Sequence, residues 1–225
     1  MTRSATAAIA ALALALVVLA SCSSNAKSSS GTTLAGLFTI EAGSCAAGSP
    51  SGSYFEMVQS GGTVSTGPFV SNPDSTCTNQ AITPLSPGSD GGLRAGSYQP
   101  EPATPFAAKG NSAAASVIEP QAFFAVSFGV STNPTDPQTG HHVPAPTVTE
   151  AGDQLHADLS AWSVSWNGQQ FNQGAPKPAA VGSAATGTYD ATSGAYTLQW
   201  TSLIKGGPFN GFTGIWHLVG TVQHS

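Results

Sequence analysis

The sequence predicts an all-β protein: a single antiparallel β-sandwich domain, or a barrel-like relative of one, that follows a targeting segment and a polar tether. Three observations lead to this prediction. Glycine (26) and proline (16) are plentiful among the 225 residues. Apolar and polar residues alternate with a period of two in the C-terminal half, which is typical of strands. Turn residues separate these short runs, and no run has the apolar spacing of a long helix.

Residues 1–21 have the pattern of a signal peptide. Arg3 supplies a short positive region, and residues 5–20 are almost entirely Ala, Leu, Val and Ile. This run is shorter than the roughly 20 apolar residues that span a bilayer. Small residues follow it at once, so it predicts a cleaved leader rather than a transmembrane anchor. Residues 22–33 are mostly polar and predict a flexible tether, which leaves residues 34–225 for one folded domain.

Leu19-Ala20-Ser21-Cys22 stands at the end of the apolar run. These four residues resemble the lipobox of bacterial lipoproteins, in which a diacylglycerol is joined to the cysteine and the chain is cut just before it. The resemblance implies lipidation of Cys22 and a membrane partner reached through the N-terminal lipid. It also implies a location in the cell envelope, on the extracytoplasmic side. The alternative is an ordinary signal peptide with a chance cysteine.

The other two cysteines, Cys45 and Cys77, are expected to form a disulfide. An exported domain folds outside the reducing cytoplasm, where paired cysteines become oxidised. A bridge that closes a loop of this length stabilises a domain by roughly 3–4 kcal/mol. Two buried free thiols are the alternative.

The N-terminal half of the domain has the weaker strand signals. Around Phe55, apolar and polar residues alternate, which predicts a strand. A stretch rich in Pro and Gly predicts a long surface loop, and a second stretch with four prolines predicts irregular structure. Strands are therefore expected over residues 34–41, 53–59 and 117–130, a surface loop over 84–110 and irregular structure over 132–146.

The C-terminal half has clearer strand signals. The alternating pattern of residues 155–161 changes phase at Trp162, and a one-residue change of phase predicts a β-bulge. Asn167-Gly168 predicts a tight hairpin because both residues accept a positive φ. A second hairpin is expected to join residues 184–189 to 195–201, and a last strand covers residues 214–222. Consecutive hairpins of this kind build antiparallel sandwiches and barrels.

Several aromatic and glycine-rich motifs follow one another in this half: Asp158-Leu159-Ser160-Ala161-Trp162, Ser165-Trp166-Asn167-Gly168, Phe171-Asn172-Gln173-Gly174, Trp200, Ile204-Lys205-Gly206-Gly207-Pro208-Phe209-Asn210-Gly211, Gly214 and Trp216-His217-Leu218. Together they resemble an uncharacterised family of secreted bacterial proteins. The likeness spans residues 120–222 and implies a β-rich fold, but it implies no activity.

The sequence contains no pattern that favours catalysis, a cofactor or a metal. His156, Asp158 and Ser160 share one face of an expected strand, yet they lack the Gly-x-Ser-x-Gly turn of a serine hydrolase. We interpret them as the wet face of that strand. His141 and His142 are adjacent in a proline-rich segment and lack the spacing of zinc ligands. Acidic residues outnumber basic ones by 11 to 6, and no basic cluster predicts a nucleic-acid partner.

All four tryptophans fall in the C-terminal half, where they either fill the core or form an exposed platform for a ligand. The candidate platform residues are Trp162, Trp166, Phe209, Phe212 and Trp216. Its ligand would be an envelope glycan, an apolar molecule or a protein. The expected function is thus a lipid-anchored envelope protein with a binding or structural role. The alternative is an exported hydrolase that uses His156 or His217 with an acid.

Overall fold

The computed structural model describes residues 31–46, 49–177 and 182–224. The predicted signal peptide, Cys22 and most of the predicted tether lie outside these residues. No helix in the described ranges is long and apolar enough to cross a bilayer. The first strand begins at Thr32, two residues before the predicted start of the domain.

The described residues form seventeen β-strands and one short 3-10 turn, Ala108–Gly110. The strands are β1 (Thr32–Leu34), β2 (Gly36–Thr39), β3 (Ser44–Ala46), β4 (Ser49–Ser51), β5 (Tyr54–Thr63), β6 (Gly67–Phe69), β7 (Thr83–Pro84), β8 (Gly92–Ala95), β9 (Ile118–Phe123), β10 (Val126–Thr132), β11 (Thr147–Ala151), β12 (Gln154–Asp158), β13 (Trp162–Trp166), β14 (Gln169–Asn172), β15 (Ala185–Tyr189), β16 (Ala195–Leu203) and β17 (Thr213–Gln223).

Within the described part of the chain, eleven strands form an antiparallel sheet that nearly closes into a barrel. Its main path runs β1-β11-β12-β15-β16-β17-β2-β8, and β5, β6 and β7 extend it beside β17. Only Ala35 separates β1 from β2. Because β1 pairs with β11 while β2 pairs with β17, the sheet returns on itself. The predicted all-β antiparallel class is confirmed, in its barrel-like form.

A second sheet, of order β14-β13-β10-β9, packs against the barrel. One apolar cluster joins residues of both sheets, so the two layers share a core. The alternating pattern of β16 shows how the sequence produces this packing. Tyr196, Leu198 and Trp200 point into the core while Gln199 faces solvent, since successive strand residues project to opposite faces. The largest fully buried side chains of the core are Trp162, Trp200, Trp216 and Phe38.

The expected single strand over residues 117–130 is wrong, because the segment is a hairpin of β9 and β10. The chain turns at Phe124 and Ala125, whose φ angles are 53° and 61°. Turns of this kind usually contain Asn or Gly. Two apolar residues occupy the turn here, so the sequence shows an unbroken apolar run where the chain reverses.

The expected β-bulge near residue 162 is also wrong. β12 belongs to the barrel and β13 to the second sheet. The change of phase marks the point where the chain passes from one sheet to the other. A short turn makes this crossing, in which the backbone N–H of Trp162 donates to the carbonyl of Leu159 at 2.9 Å. The hairpin predicted at Asn167-Gly168 is confirmed between β13 and β14.

The expected surface loop over residues 84–110 contains the barrel strand β8, and its Leu85 and Leu93 are fully buried. The buried amide of Gln99 holds this segment in place. Its Oε1 accepts from the Arg94 backbone N–H at 2.7 Å, and its Nε2 donates to the Gly92 carbonyl at 2.8 Å. A polar side chain thus supplies the bonds that regular strand pairing would otherwise provide.

The predicted disulfide between Cys45 and Cys77 is confirmed. It joins the β3–β4 hairpin to the segment between β6 and β7, and the two Cα atoms are 5.4 Å apart. Cys77 is buried and Cys45 is half-buried. The bridge therefore fixes a short, weakly paired hairpin to the body of the domain.

Candidate functional site

An apolar pocket lies between the second sheet and the barrel wall formed by β5 and β17. Its cavity volume is about 50 Å³, and the pocket is partly open to solvent. The lining is apolar except for Gln173. The pocket is lined by Phe55, Met57, Phe123, Phe128, Val164, Trp166, Phe171, Gln173, Ile204, Phe209 and Trp216.

Aromatic rings shape most of the wall. Phe55 of β5 lies against Trp216 of β17, with ring centroids 4.6 Å apart. Phe128 of β10 approaches Phe55 from the second sheet at 5.7 Å. Tilted and edge-to-face rings at these distances stabilise one another. These contacts also hold the two sheets at a fixed separation, so the cavity is built into the packing of the domain.

Phe209 contributes to the pocket wall from a loop. This residue belongs to the loop between β16 and β17, which is anchored where the Gly211 backbone N–H donates to the Ile204 carbonyl at 2.9 Å. Gly207 has a φ of 63°, and a Cβ there would lie 2.9 Å from the Phe171 ring. Glycine therefore lets the loop pack closely on β14 and place Phe209 in the pocket wall.

Two buried polar atoms of residues that line the pocket lack a hydrogen-bond partner among the described residues. They are Oε1 of Gln173 and Nε1 of Trp216, in side chains that are 3% and 1% exposed. A Cβ placed on Gly214 would collide with this Oε1 and lie 3.4 Å from this Nε1. Both side chains therefore pack closely against Gly214, and no room remains there for a side chain.

Lys177 lies close to Gln173. Its ammonium and Nε2 of Gln173 both donate to the carbonyl of Asn172, and the ammonium also donates to the carbonyl of Leu203. Burial lowers the pKa of Lys177 to about 8, against the opposing attraction of Asp136. Asp136 is buried as well, and its Oδ2 has no partner among the described residues. Gln173 thus belongs to a buried polar network beside the pocket.

The exposed tryptophan platform that the sequence suggested is absent from the described residues. Trp162 and Trp216 are almost fully buried and Trp166 is only 8% exposed, so no indole face is available for stacking on the surface. Phe209 and Phe212 are half-buried. The structure nevertheless places three of the five candidates, Trp166, Phe209 and Trp216, in the wall of one pocket.

The residues of the alternative hydrolase do not come together. His156 is exposed on β12, and Oδ1 of Asp158 accepts from the Ser160 backbone N–H. His217 stacks on Tyr54 with ring centroids 4.7 Å apart, and burial lowers its pKa. No histidine of the described ranges donates to or accepts from a carboxylate.

The two histidines of the proline-rich segment take part in local contacts. The carbonyl of His141 accepts from the Asp136 backbone N–H, and the His142 ring lies 3.4 Å from the Tyr98 hydroxyl. Among the described residues, no three His, Cys, Asp or Glu side chains are grouped in a way that could hold a metal ion.

Sequence reasoning overlooked Gln173, Gly214 and Lys177 as functional residues. Gln173 and Gly214 do occur in the motifs that resemble secreted bacterial proteins. Most of the pocket wall from the C-terminal half comes from the same motifs, including Trp166, Phe171 and Phe209. The concentration of these motifs in the C-terminal half is therefore the sequence signal that could have located the site.

Comparisons of the chain with models of protein families, with curated proteins and with solved structures found no match.

Proposed function

We propose that this protein is a lipid-anchored protein of the bacterial cell envelope whose domain binds a small apolar ligand. The lipobox-like run that ends at Cys22 supports the anchoring, and the polar residues after it support a tether. The disulfide between Cys45 and Cys77 is compatible with export to an oxidising compartment. The anchor would hold the domain on the extracytoplasmic side of the membrane.

The apolar pocket between the two sheets carries the binding role. Ligand sites are typically concave, mostly apolar and provided with a few polar groups that orient the ligand. The wall of aromatic rings and the single Gln173 match this description. An apolar molecule suits such a wall better than a glycan, whose many hydroxyls would each need a partner. Among the described residues, neither His156 nor His217 pairs with a carboxylate, and this favours a binding role over hydrolysis.

Photolabelling tests the binding role in the full chain. Envelopes from a bacterium that produces the protein are exposed to an alkyl diazirine without polar groups, irradiated and digested, and the labelled peptides are identified by mass spectrometry. We expect label on peptides that contain Val164 or Trp216. Val164→Phe, which fills the pocket, should remove most of this label.

Val219→Phe is the matched control, because Val219 lies on the same strand as Trp216 but projects away from the pocket. It should leave the labelling unchanged, and protease resistance of both variants should show that they fold. Equal labelling of wild type and Val164→Phe would contradict the proposed binding site.

Metabolic labelling with radioactive palmitate tests the anchor. We expect the full chain to take up palmitate and to sediment with membranes. Cys22→Ala should abolish both properties, whereas Ser23→Ala, one residue outside the lipobox-like run, should keep them. Uptake of palmitate by Cys22→Ala would contradict the proposed lipidation.

A further inference from the structure

We infer that the outer face of the barrel carries a second binding site, a polar groove over β12, β15 and β16 that takes an uncharged polysaccharide. The groove has a cavity volume of about 360 Å³ and is open to solvent. It shares no lining residue with the apolar pocket, so the inference does not depend on the ligand of that pocket. The polar side chains that line the groove are Gln154, Ser183, Thr186, Thr188, Thr197 and Gln199.

The pairing of the strands places most of these side chains in two parallel rows. Residues directly opposite each other in an antiparallel pair project to the same face of the sheet. Leu155 and Leu198, which lie between the rows, are fully buried, so the rows themselves face outward. Each row crosses β12, β15 and β16 in that order: His156, Thr186 and Gln199 form the first row, and Gln154, Thr188 and Thr197 form the second.

The groove has unused hydrogen-bonding capacity. Thr186 and Gln199 are exposed, and their side chains bond to no other described residue. The hydroxyls of Thr188 and Thr197 lie 2.9 Å apart and share one hydrogen bond, so one of their two hydroxyl protons is left for a ligand. Hydroxyls and amides can both donate and accept. Each hydroxyl of a sugar has the same double capacity, and this makes a sugar chain complementary to the groove.

The charges around the groove favour an uncharged ligand. None of the six Lys and Arg residues of the chain lies on β12, β15 or β16. A polyanion would therefore lose hydration without meeting an opposite charge. It would also approach Asp153, whose Oδ1 accepts from Nε2 of Gln154 at 3.1 Å.

Two other classes of ligand fit the groove less well. An apolar chain would cover the hydroxyls and leave them without partners, which is costly. A peptide that extends a sheet needs a free strand edge, whereas β12, β15 and β16 each pair with a strand on both sides.

The groove is rigid before a ligand binds. Threonine has few χ1 rotamers, so ordering its side chain costs little entropy. The floor between Thr186 and Thr188 is backbone, because a Cβ on Gly187 would collide with the carbonyl of Thr197. Glycine thus allows β15 and β16 to approach closely. Binding to groups that are already ordered loses little freedom, so several weak hydrogen bonds together give a measurable affinity.

Affinity electrophoresis of the full chain in native gels tests the inference. The chain is kept in a detergent without a sugar headgroup, and each gel contains soluble starch, dextran or galactomannan, which are uncharged, or the polyanion alginate. Mobility is measured relative to a reference protein that binds no sugar. We expect at least one of the three uncharged polysaccharides to retard the wild-type chain, whereas alginate should not.

A double variant tests the position of the site. Thr186→Ala combined with Gln199→Ala should weaken the retardation about tenfold, because two side chains lose their hydrogen bonds to the ligand. Thr147→Ala combined with Gln59→Ala is the matched control, since it changes the same residue types at exposed positions outside the groove. The control should keep the wild-type retardation. Unchanged melting temperatures should show that both double variants fold.

Three results would overturn the inference. The first is that no uncharged polysaccharide retards the wild-type chain. The second is retardation by alginate alone, which would assign the surface to a charged polymer. The third is equal retardation of the wild type and the groove variant, which would place sugar binding elsewhere on the domain. Diazirine labelling of the apolar pocket is a separate measurement, so these failures leave the proposed function standing.

Discussion

The ring of Phe124 lies against Phe209, a residue of the pocket wall, with ring centroids 5.5 Å apart. Phe124 comes from the β9–β10 turn and is 40% exposed, whereas Phe209 comes from the loop before β17. Phe124 and Ala125 both have a positive φ, a conformation that is strained for residues other than glycine. Strained backbone often persists where it serves a site, and here it holds the ring of Phe124 against Phe209.

Ala125→Gly should stabilise the domain by about 0.5–1 kcal/mol, because glycine relieves part of the strain of the turn. Urea denaturation of the full chain in detergent measures the change. Ala195→Gly at the start of β16 is the control, and it should lose about 0.5–1 kcal/mol through added freedom of the unfolded chain. If Ala125→Gly lost as much unfolding free energy as the control, the prediction that the turn is strained would be wrong.

Removal of the disulfide should cost roughly 3–4 kcal/mol of unfolding free energy, because the unfolded chain regains the freedom of a long loop. The double substitution Cys45→Ala and Cys77→Ala, or reduction of the wild type, gives this loss in a urea titration. Cys22→Ala should not change the unfolding free energy. A loss below about 1 kcal/mol would mean that the β3–β4 hairpin is held by other contacts.

His217 should make the domain less stable in acid. Its folded pKa lies below the ordinary 6.5 because the ring is half-buried against Tyr54. As the pH falls below 6.5 the unfolded chain binds a proton that the folded state resists, so stability declines until the lowered folded pKa is passed. His217→Gln should make the decline of the melting temperature between pH 7 and pH 5 shallower.

Two comparisons isolate the contribution of His217. Exposed His156 provides the control variant His156→Gln, which should keep the full decline. Glu56 follows Tyr54 by two residues on β5, and burial raises its pKa. This carboxyl acts in the opposite sense, since it favours the folded state as the pH falls. An identical pH profile for wild type and His217→Gln would contradict the prediction.

Lys177 should make the domain more stable at alkaline pH. Its folded pKa is about 8, below the ordinary 10.5. Between these values the unfolded chain binds the proton more strongly, so stability rises with pH by up to about 1.4 kcal/mol per pH unit. Lys177→Met should remove this rise in urea titrations between pH 7.5 and 9.5. Exposed Lys109 supplies the control Lys109→Met, and the same slope in both variants would contradict the assignment.

The sequence predicted strands best where one face of a strand meets the core and the other meets solvent. Tyr196, Leu198 and Trp200 show this pattern. Asn167-Gly168 predicts its hairpin for a different reason, because both residues accept a positive φ. The sequence does not indicate the turn at Phe124-Ala125, because both residues are apolar and neither is a usual turn residue. The passage of the chain from β12 to β13 shifts the alternating pattern by one residue, as a β-bulge does. The sequence alone therefore does not distinguish the two.

The candidate site was predicted only in part. The aromatic residues of the C-terminal half were identified, but alternation cannot show which face of a strand a second sheet will cover. Gln173 and Gly214 are far apart in sequence and meet only because β17 packs against the segment that follows β14. A contact of this kind arises from tertiary packing, and local sequence patterns do not contain it.

The position of β17 has a consequence for the order in which the molecule assembles. This strand comes after all the others described, yet it pairs with β16, β5 and β2 and brings Trp216 into the core. The barrel cannot close before β17 is available, and contacts between such distant segments form slowly. A chain threaded through a membrane from its N-terminus would therefore stay open until β17 had emerged, and only then acquire its pocket.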